Sequence, residues 1–370
     1  MRRGPLITRS DGAPSPAPQQ LPSAAAPSPS PSPAPQQLPS PGRWLPPALT
    51  LPLLSLAAAC SDQEPAPTPP PASCEDATPW ASAPRLPLGA TQETATVALD
   101  GKVVVIGGFS GSQGVLAAVQ VFDVASCTWS MGPPLPSPLH HANAAVVGDT
   151  IYVLGSLIES EFIAAGSAWA WAPARSAAWT ALPAMPAGTE RGSAAVGAIG
   201  DQIYLAGGLR GDALATLSSY HVGTGAWTEL PPLPVERDHA CGAAVAGKLY
   251  VIGGRRRTLG SISGAVYEYT PGGAWRQRAT MPTPRAGVAC GVVGGRVVVV
   301  GGEGNAASTS GTFPQVEAYD PAADTWHPLP DMKSPRHGMA AAAIGPRLYV
   351  PGGATRAGFA ATATFDILTP

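Results

Sequence analysis

Residues 191–208 read RGSAAVGAIGDQIYLAGG, and residues 218–234 read SSYHVGTGAWTELPPLP. The first stretch holds two apolar runs split at Gly200-Asp201, and the second run closes on the doublet Gly207-Gly208. The next stretch carries an aromatic-polar pair, Tyr220-His221, then Trp227, then a proline-rich turn. Short apolar runs bounded by Gly and Pro read as strands rather than helices. Gly207-Gly208 stands where the chain must turn with φ > 0 or let another backbone come close. One such unit cannot bury its own faces, so its meaning depends on whether it recurs.

It recurs six times. Trp falls at 80, 129, 179, 227, 275 and 326, in steps of 49, 50, 48, 48 and 51. Six residues after each Trp stands Leu86, Leu135, Met185, Leu233, Met281 or Met332, followed by Pro in every copy but the last, which has Lys333. Glycine doublets begin at Gly107, Gly207, Gly253, Gly301 and Gly352, with a degenerate copy at Gly155-Ser156. Before four of the Trp residues comes an aromatic pair: Phe122-Asp123, Tyr220-His221, Tyr269-Thr270 and Tyr319-Asp320.

This pattern resembles the kelch repeat, in which a Gly-Gly doublet, an aromatic-Asp strand and a Trp return at a period of roughly 50. The resemblance runs from Trp80 to Pro370. It implies an all-β chain with four antiparallel strands per repeat, packed radially as a β-propeller, with the Trp in the wedge between sheets. The last repeat stops after Phe365-Asp366 without a Trp strand, and the first is only a Trp strand, Trp80 to Pro87. The two fragments add up to one blade. A six-bladed kelch-type propeller is therefore expected over 80–370, its last blade closed by the N-terminal strand, which removes exposed sheet edges.

The preceding segments are of another kind. Residues 1–42 form a low-complexity leader of Pro, Ser, Ala and Gln in which PSPAPQQLPS occurs twice. Residues 43–60 run from Arg43 through WLPPALTLPLLSLAAAC, short for a membrane span and suited to a signal segment. Its end, Leu56-Ala57-Ala58-Ala59-Cys60, resembles a bacterial lipobox. That resemblance implies lipidation at Cys60 and export to the periplasm or outer surface, with the lipid as the sole membrane anchor. Residues 61–79 are a proline-rich linker that would act as a semi-stiff spacer.

Charge narrows the function. Charged residues are 12% of the chain and the net charge is −2, without the basic excess of a dedicated nucleic-acid binder. Arg stands 16 residues before the first Gly in four repeats, as Arg191, Arg237, Arg285 and Arg336, with Thr91 and Leu139 in the other two. Two residues on, the copies diverge into Glu93, His141, Ser193, His239, Gly287 and Gly338. A requirement of the fold would repeat, whereas a ligand site on a pseudo-symmetric ring should break the symmetry. Glu93, His141 and His239 are thus expected to line a wetted ligand site at the channel mouth, with Arg237 and Arg285 supplying charge for an anionic ligand. The loops after the doublets also vary, as in Arg255-Arg256-Arg257 and Glu303.

No histidine has Cys, Asp or Glu at metal-ligand spacing in sequence, so neither a metal nor another cofactor is expected. Cys241 and Cys290 lie four and five residues after their Arg, face opposite ways along their strands, and read as buried free thiols. Cys74 and Cys127 flank the Trp strands of adjacent repeats, where a disulfide and separate thiols are both open. The reading is a monomeric binding module that takes a protein or glycan at the channel mouth. The kelch-type enzymes imply an alternative: a sugar mutarotase or epimerase, or a galactose-oxidase-like oxidase. Tyr220-His221 occupies the structural aromatic-Asp position, so the oxidase's copper ligands do not carry over.

Overall fold

The computed structural model describes Cys74 and residues 79–370. The leader, the segment ending at Cys60 and most of the linker lie outside the described residues. The quoted stretch forms four antiparallel strands, Ala195–Ile199, Gln202–Ala206, Leu217–His221 and Ala226–Leu230, paired in that order. Equivalent sheets span residues 95–131, 144–181, 241–278 and 289–329. The sixth pairs Ala342–Ile344, Arg347–Pro351 and Phe365–Leu368 with Trp80–Ser82, Trp80 lying opposite Leu368. The described residues thus hold six four-stranded sheets. Their first strands touch in cyclic order, Ala342–Ile344 returning to Ala95–Leu99. The N-terminal strand completes the last blade, as the repeat arithmetic predicts.

The tryptophans bind each blade to the one before it. Trp129 Nε1 donates to Pro84 O at 2.8 Å and Trp179 Nε1 to Pro133 O at 3.0 Å. Trp227 and Trp275 donate to Pro183 O and Pro231 O, Trp326 to Ala279 O, and Trp80 closes the circuit on Pro330 O at 2.9 Å. Each acceptor lies four residues after the preceding Trp. The aromatic of the third strand packs at a tilt against the indole, with ring centroids 5.1 Å apart for Phe122–Trp129 and 5.0 Å for Tyr220–Trp227. Five of the six indoles are only half-buried, so they cap the outer wedge rather than fill it; Trp80 is the buried one. Second strands lie between neighbouring blades, which is why runs such as Val297 to Val300 are apolar throughout and fully buried.

The doublets allow blades to meet. At Gly207 φ is +67°, and an added Cβ would lie 2.4 Å from Arg237 O of the next blade. Gly208 N donates to that same carbonyl at 2.8 Å. Where Ser156 replaces the second glycine, the strands run on as Thr150–Ile158 and Ile163–Trp171. There Asn143 supplies the missing donor, its Nδ2 reaching Arg191 O at 2.8 Å.

Two disulfides are present. Cys74–Cys127 ties the segment before the closing strand to blade one. Cys241–Cys290 joins the first strands of blades four and five, correcting the free-thiol reading. Opposite facing, taken as an obstacle, is what the bond needs. In stacked sheets the face one blade turns forward is the reverse of the face its neighbour turns back.

Candidate functional site

Six backbone positions encircle the axis, two residues after each Arg-equivalent. All are left-handed: Glu93 φ 55°, His141 50°, Ser193 55°, His239 53°, Gly287 61° and Gly338 58°. Their amides pass hydrogen bonds around the ring, from His141 N to Glu93 O, Ser193 N to His141 O, Gly287 N to His239 O, Gly338 N to Gly287 O and Glu93 N to Gly338 O. His239 N bonds Ser193 Oγ instead, at 3.2 Å. Glycine adopts this conformation freely, whereas other residues are strained by about 1–3 kcal/mol, a cost that clusters at functional sites. Blades five and six use glycine. Blades one, two and four hold carboxylate and imidazole groups there instead.

The three side chains converge. His141 Nε2 lies 3.0 Å from His239 Nε2 and 3.1 Å from Glu93 Oε2. Both imidazoles are buried, so the expectation of a wetted mouth residue fails: His141 packs against the rings of His140, Phe109, Phe162 and His239. Behind His239, Asp238 Oδ1 accepts from Nδ1 at 2.6 Å. Behind His141, its Nδ1 meets Nδ1 of His140, whose Nε2 donates to Glu159 O at 2.9 Å. Burial, then electrostatic opposition from the adjoining His239, His140 and Arg255, holds His141 well below the usual imidazole range, and burial brings His140 down to about 4. Burial pushes the Asp238 carboxyl up, but the His239 and Arg255 contacts outweigh it and keep it below its ordinary value.

Above this constriction lies a vestibule of about 160 Å³, and beneath it a channel cavity of about 120 Å³. One wall of the vestibule carries Phe162 and Phe359, backed by the buried Phe109, which meets Phe359 edge-on at 5.2 Å and Phe162 at a tilt at 5.8 Å. The opposite wall is charged: Arg255 bonds Asp238 at 3.1 Å and also Glu303, which sits 3.4 Å from His337.

Of the residues expected from sequence, Glu93, His141 and His239 come together, whereas Arg237 and Arg285 do not join them. Arg285 is fully buried within blade five, its Nε on Gly301 O at 2.7 Å and its Nη1 on Thr283 O and Glu317. Arg237 lies over the Tyr267 ring at 5.5 Å and reaches toward Gly253 O. Arg191 and Arg336 do the same work in their blades. The recurring arginine is thus engaged inside its blade, on carbonyls of the second strand and of the doublet that follows it. The histidines have no Cys, Asp or Glu at metal-ligand spacing in sequence, but the fold supplies what spacing does not. Glu93, His141 and His239 bring three ligand atoms within 4.8 Å of one another, from three blades, where sequence spacing is blind.

Sequence reasoning missed His140, Asp238 and His337 as a set. They sit one residue before the ring position, each bridged to the residue after a doublet: His140 to Leu157, Asp238 to Arg255, His337 to Ala354. Aligning the copies at that column would have exposed them, since it diverges as strongly as the ring itself.

Fold and site together define a kelch propeller with an acid- and histidine-lined axial constriction. The KLHDC2/KLHL20/DRC7 Kelch-repeats domain matches residues 77–254, and the Kelch motif matches residues 236–282 and 284–333. The Kelch-like protein terF of Aspergillus terreus is 34% identical over 312 residues, covering 79% of this chain and 68% of that protein. Kelch-like protein 35 of Mus musculus is 29% identical over 48% of this chain and 29% of its own length. Kelch domain-containing protein 8B of Homo sapiens is 28% identical over 38% and 42% respectively. This chain therefore spans less than half of either animal protein. Among solved structures, that of YjhT superposes with a TM-score of 0.63 at 16% identity, over 77% of this chain and 96% of that one, a likeness of fold. The chain belongs to the kelch-repeat family, whose propellers are binding and protein-interaction modules.

Proposed function

We propose that the propeller is an exported, lipid-anchored module that binds a protein or glycan ligand at its vestibule. The observation that carries the ligand site is the ring: strained Glu93, His141 and His239 replace the glycine that the same backbone position takes in blades five and six. The aromatic wall of Phe162 and Phe359 suits a sugar face or an apolar side chain, and the charged wall suits polar groups beside it. Export is supported by two disulfides, which persist in oxidising compartments, and by the apolar run ending at Cys60.

The experiment is a glycan and peptide array probed with the parent and with His141→Gly and His239→Gly. Glycine suits the left-handed backbone and so offsets part of the packing lost with each buried ring; these variants should stay folded yet lose the array signal. Unchanged binding by both variants would remove the ring from the ligand site. Fatty-acid labelling that depends on Cys60, and unreduced peptide maps showing both cystines, test the address. A second reading, a cofactor-free mutarotase or epimerase, is favoured by the axial carboxylate beside two imidazoles. Anomer exchange measured by NMR, lost in Glu93→Gln, would support it.

A further inference from the structure

We propose that Glu93 Oε2, His141 Nε2 and His239 Nε2 form a binding site for one divalent first-row transition ion, of which Zn²⁺ is the probe. The inference stands apart from the ligand reading above, because it concerns the constriction itself.

The hydrogen-bond partners fix which atoms face the axis. The Glu159 carbonyl only accepts, so His140 Nε2 carries a proton. One proton bridges the two Nδ1 atoms of His140 and His141; with it on His141, that ring turns a lone pair inward at Nε2. His239 donates its Nδ1–H to Asp238, and its Nε2 faces Arg255 Nη2, which can only donate, so it too turns a lone pair inward. Two imidazole lone pairs and a carboxylate oxygen therefore point at one place. The His141 side chain is only 3% exposed, and both groups within reach of its Nε2 are acceptors. His141 Nε2 thus lies 3.0 Å and 3.1 Å from two other acceptors, which repel it unless a positive centre lies between them.

Donor spacing fits such a centre. Bonds of about 2.0–2.2 Å in tetrahedral array place ligand atoms roughly 3.4 Å apart, and these atoms all lie within 4.8 Å. The backing groups, Asp238 on His239 and His140 on His141, are the outer partners that orient metal-binding histidines. Local charge favours a cation as well. Glu93, Asp238 and Glu303 carry three negative charges against the single Arg255 guanidinium, while His337 faces Glu303. Two imidazoles with one carboxylate suit zinc, cobalt, nickel or iron(II) rather than calcium or magnesium. The opposite half of the ring is Ser193, Gly287 and Gly338, so coordination positions stay open toward both cavities. One feature opposes binding: Arg255 Nη2 lies 3.3 Å from His239 Nε2 and competes for its lone pair.

The test uses the disulfide-intact protein, stripped with chelator and titrated with Zn²⁺ and Co²⁺. One equivalent should bind, raise the melting temperature and give the visible spectrum of nitrogen- and oxygen-ligated Co²⁺. His141→Gly and His239→Gly, which fit the left-handed backbone, should weaken binding more than roughly 100-fold, beyond the 10–100-fold expected for the outer-partner variant Asp238→Asn. Arg255→Met should tighten it by removing the competing donor. His221→Ala and His327→Ala, on outer strands, should change nothing. The proposal is overturned if the parent takes up no metal beyond that of the folded double variant His141→Gly/His239→Gly. It is equally overturned if NMR places a proton on His141 Nε2 with saturating Zn²⁺ present.

Discussion

Trp80→Ala should damage the propeller more than the same change at any other repeat tryptophan. Trp80 is 7% exposed and packs in one cluster with Val298, Met332 and Leu348. Its Nε1 also satisfies Pro330 O at 2.9 Å. Truncating a buried tryptophan costs about 3–5 kcal/mol. Trp227 makes the equivalent bond to Pro183 O at 3.0 Å but is half-exposed. It has less apolar area to lose, so Trp227→Ala should cost about 2 kcal/mol. At roughly 2–4 °C per kcal/mol for a domain of this size, the expected falls are about 12 °C and about 6 °C. Thermal melts followed by circular dichroism decide it, run with and without reductant because Cys74–Cys127 holds the closing strand near its partner. Reductant should widen the gap between the two variants. If Trp80→Ala melts within about 2 °C of Trp227→Ala in both conditions, the closing strand does not carry the stability assigned to it.

Gly207→Ala should cost about 3 kcal/mol or more, because left-handed strain of about 1–2 kcal/mol adds to a backbone clash. Gly200→Ala, at φ +55° with open space around it, should show the strain alone, so equal melting points would refute the close-approach account. Arg285→Ala should cost about 3–5 kcal/mol by stranding Glu317 in the blade interior, yet leave Zn²⁺ uptake at the ring unchanged when measured by titration. Tyr319 donates to Asp324 at 2.6 Å and, with the Ala279 amide, holds that carboxyl below its ordinary value. A carboxylate so held stabilises the fold above its unfolded value and loses that contribution as pH falls through its folded value. Denaturant titrations from neutral to acid pH should therefore show a decline that Asp324→Asn flattens.

The scaffold was legible because each landmark does the same physical task in every blade. Trp, the doublet and the buried arginine each satisfy a contact that radial packing recreates around the ring, so period alone reveals them. The arginines misled for the same reason: Arg237 and Arg285 looked functional beside His239 and Gly287, but they share the clamp of Arg191 and Arg336. The site was half legible. Divergence at one column marked Glu93, His141 and His239, while their convergence to 3.0–3.1 Å depends on residues 48 and 98 apart folding to one axis. The Cys241–Cys290 bond was misread because strand parity was judged within one sheet rather than across two.

The Cys74–Cys127 bond has a mechanical consequence. Cys74 precedes the closing strand Trp80–Ser82, while Cys127 belongs to blade one. Tension applied to the chain ahead of Cys74 passes through the sulfurs into blade one before it can reach Trp80. The three-residue strand, which a pull from its own end would peel off Phe365–Leu368, is left slack. With the cystine reduced, the same load would fall directly on that strand's three residue pairs.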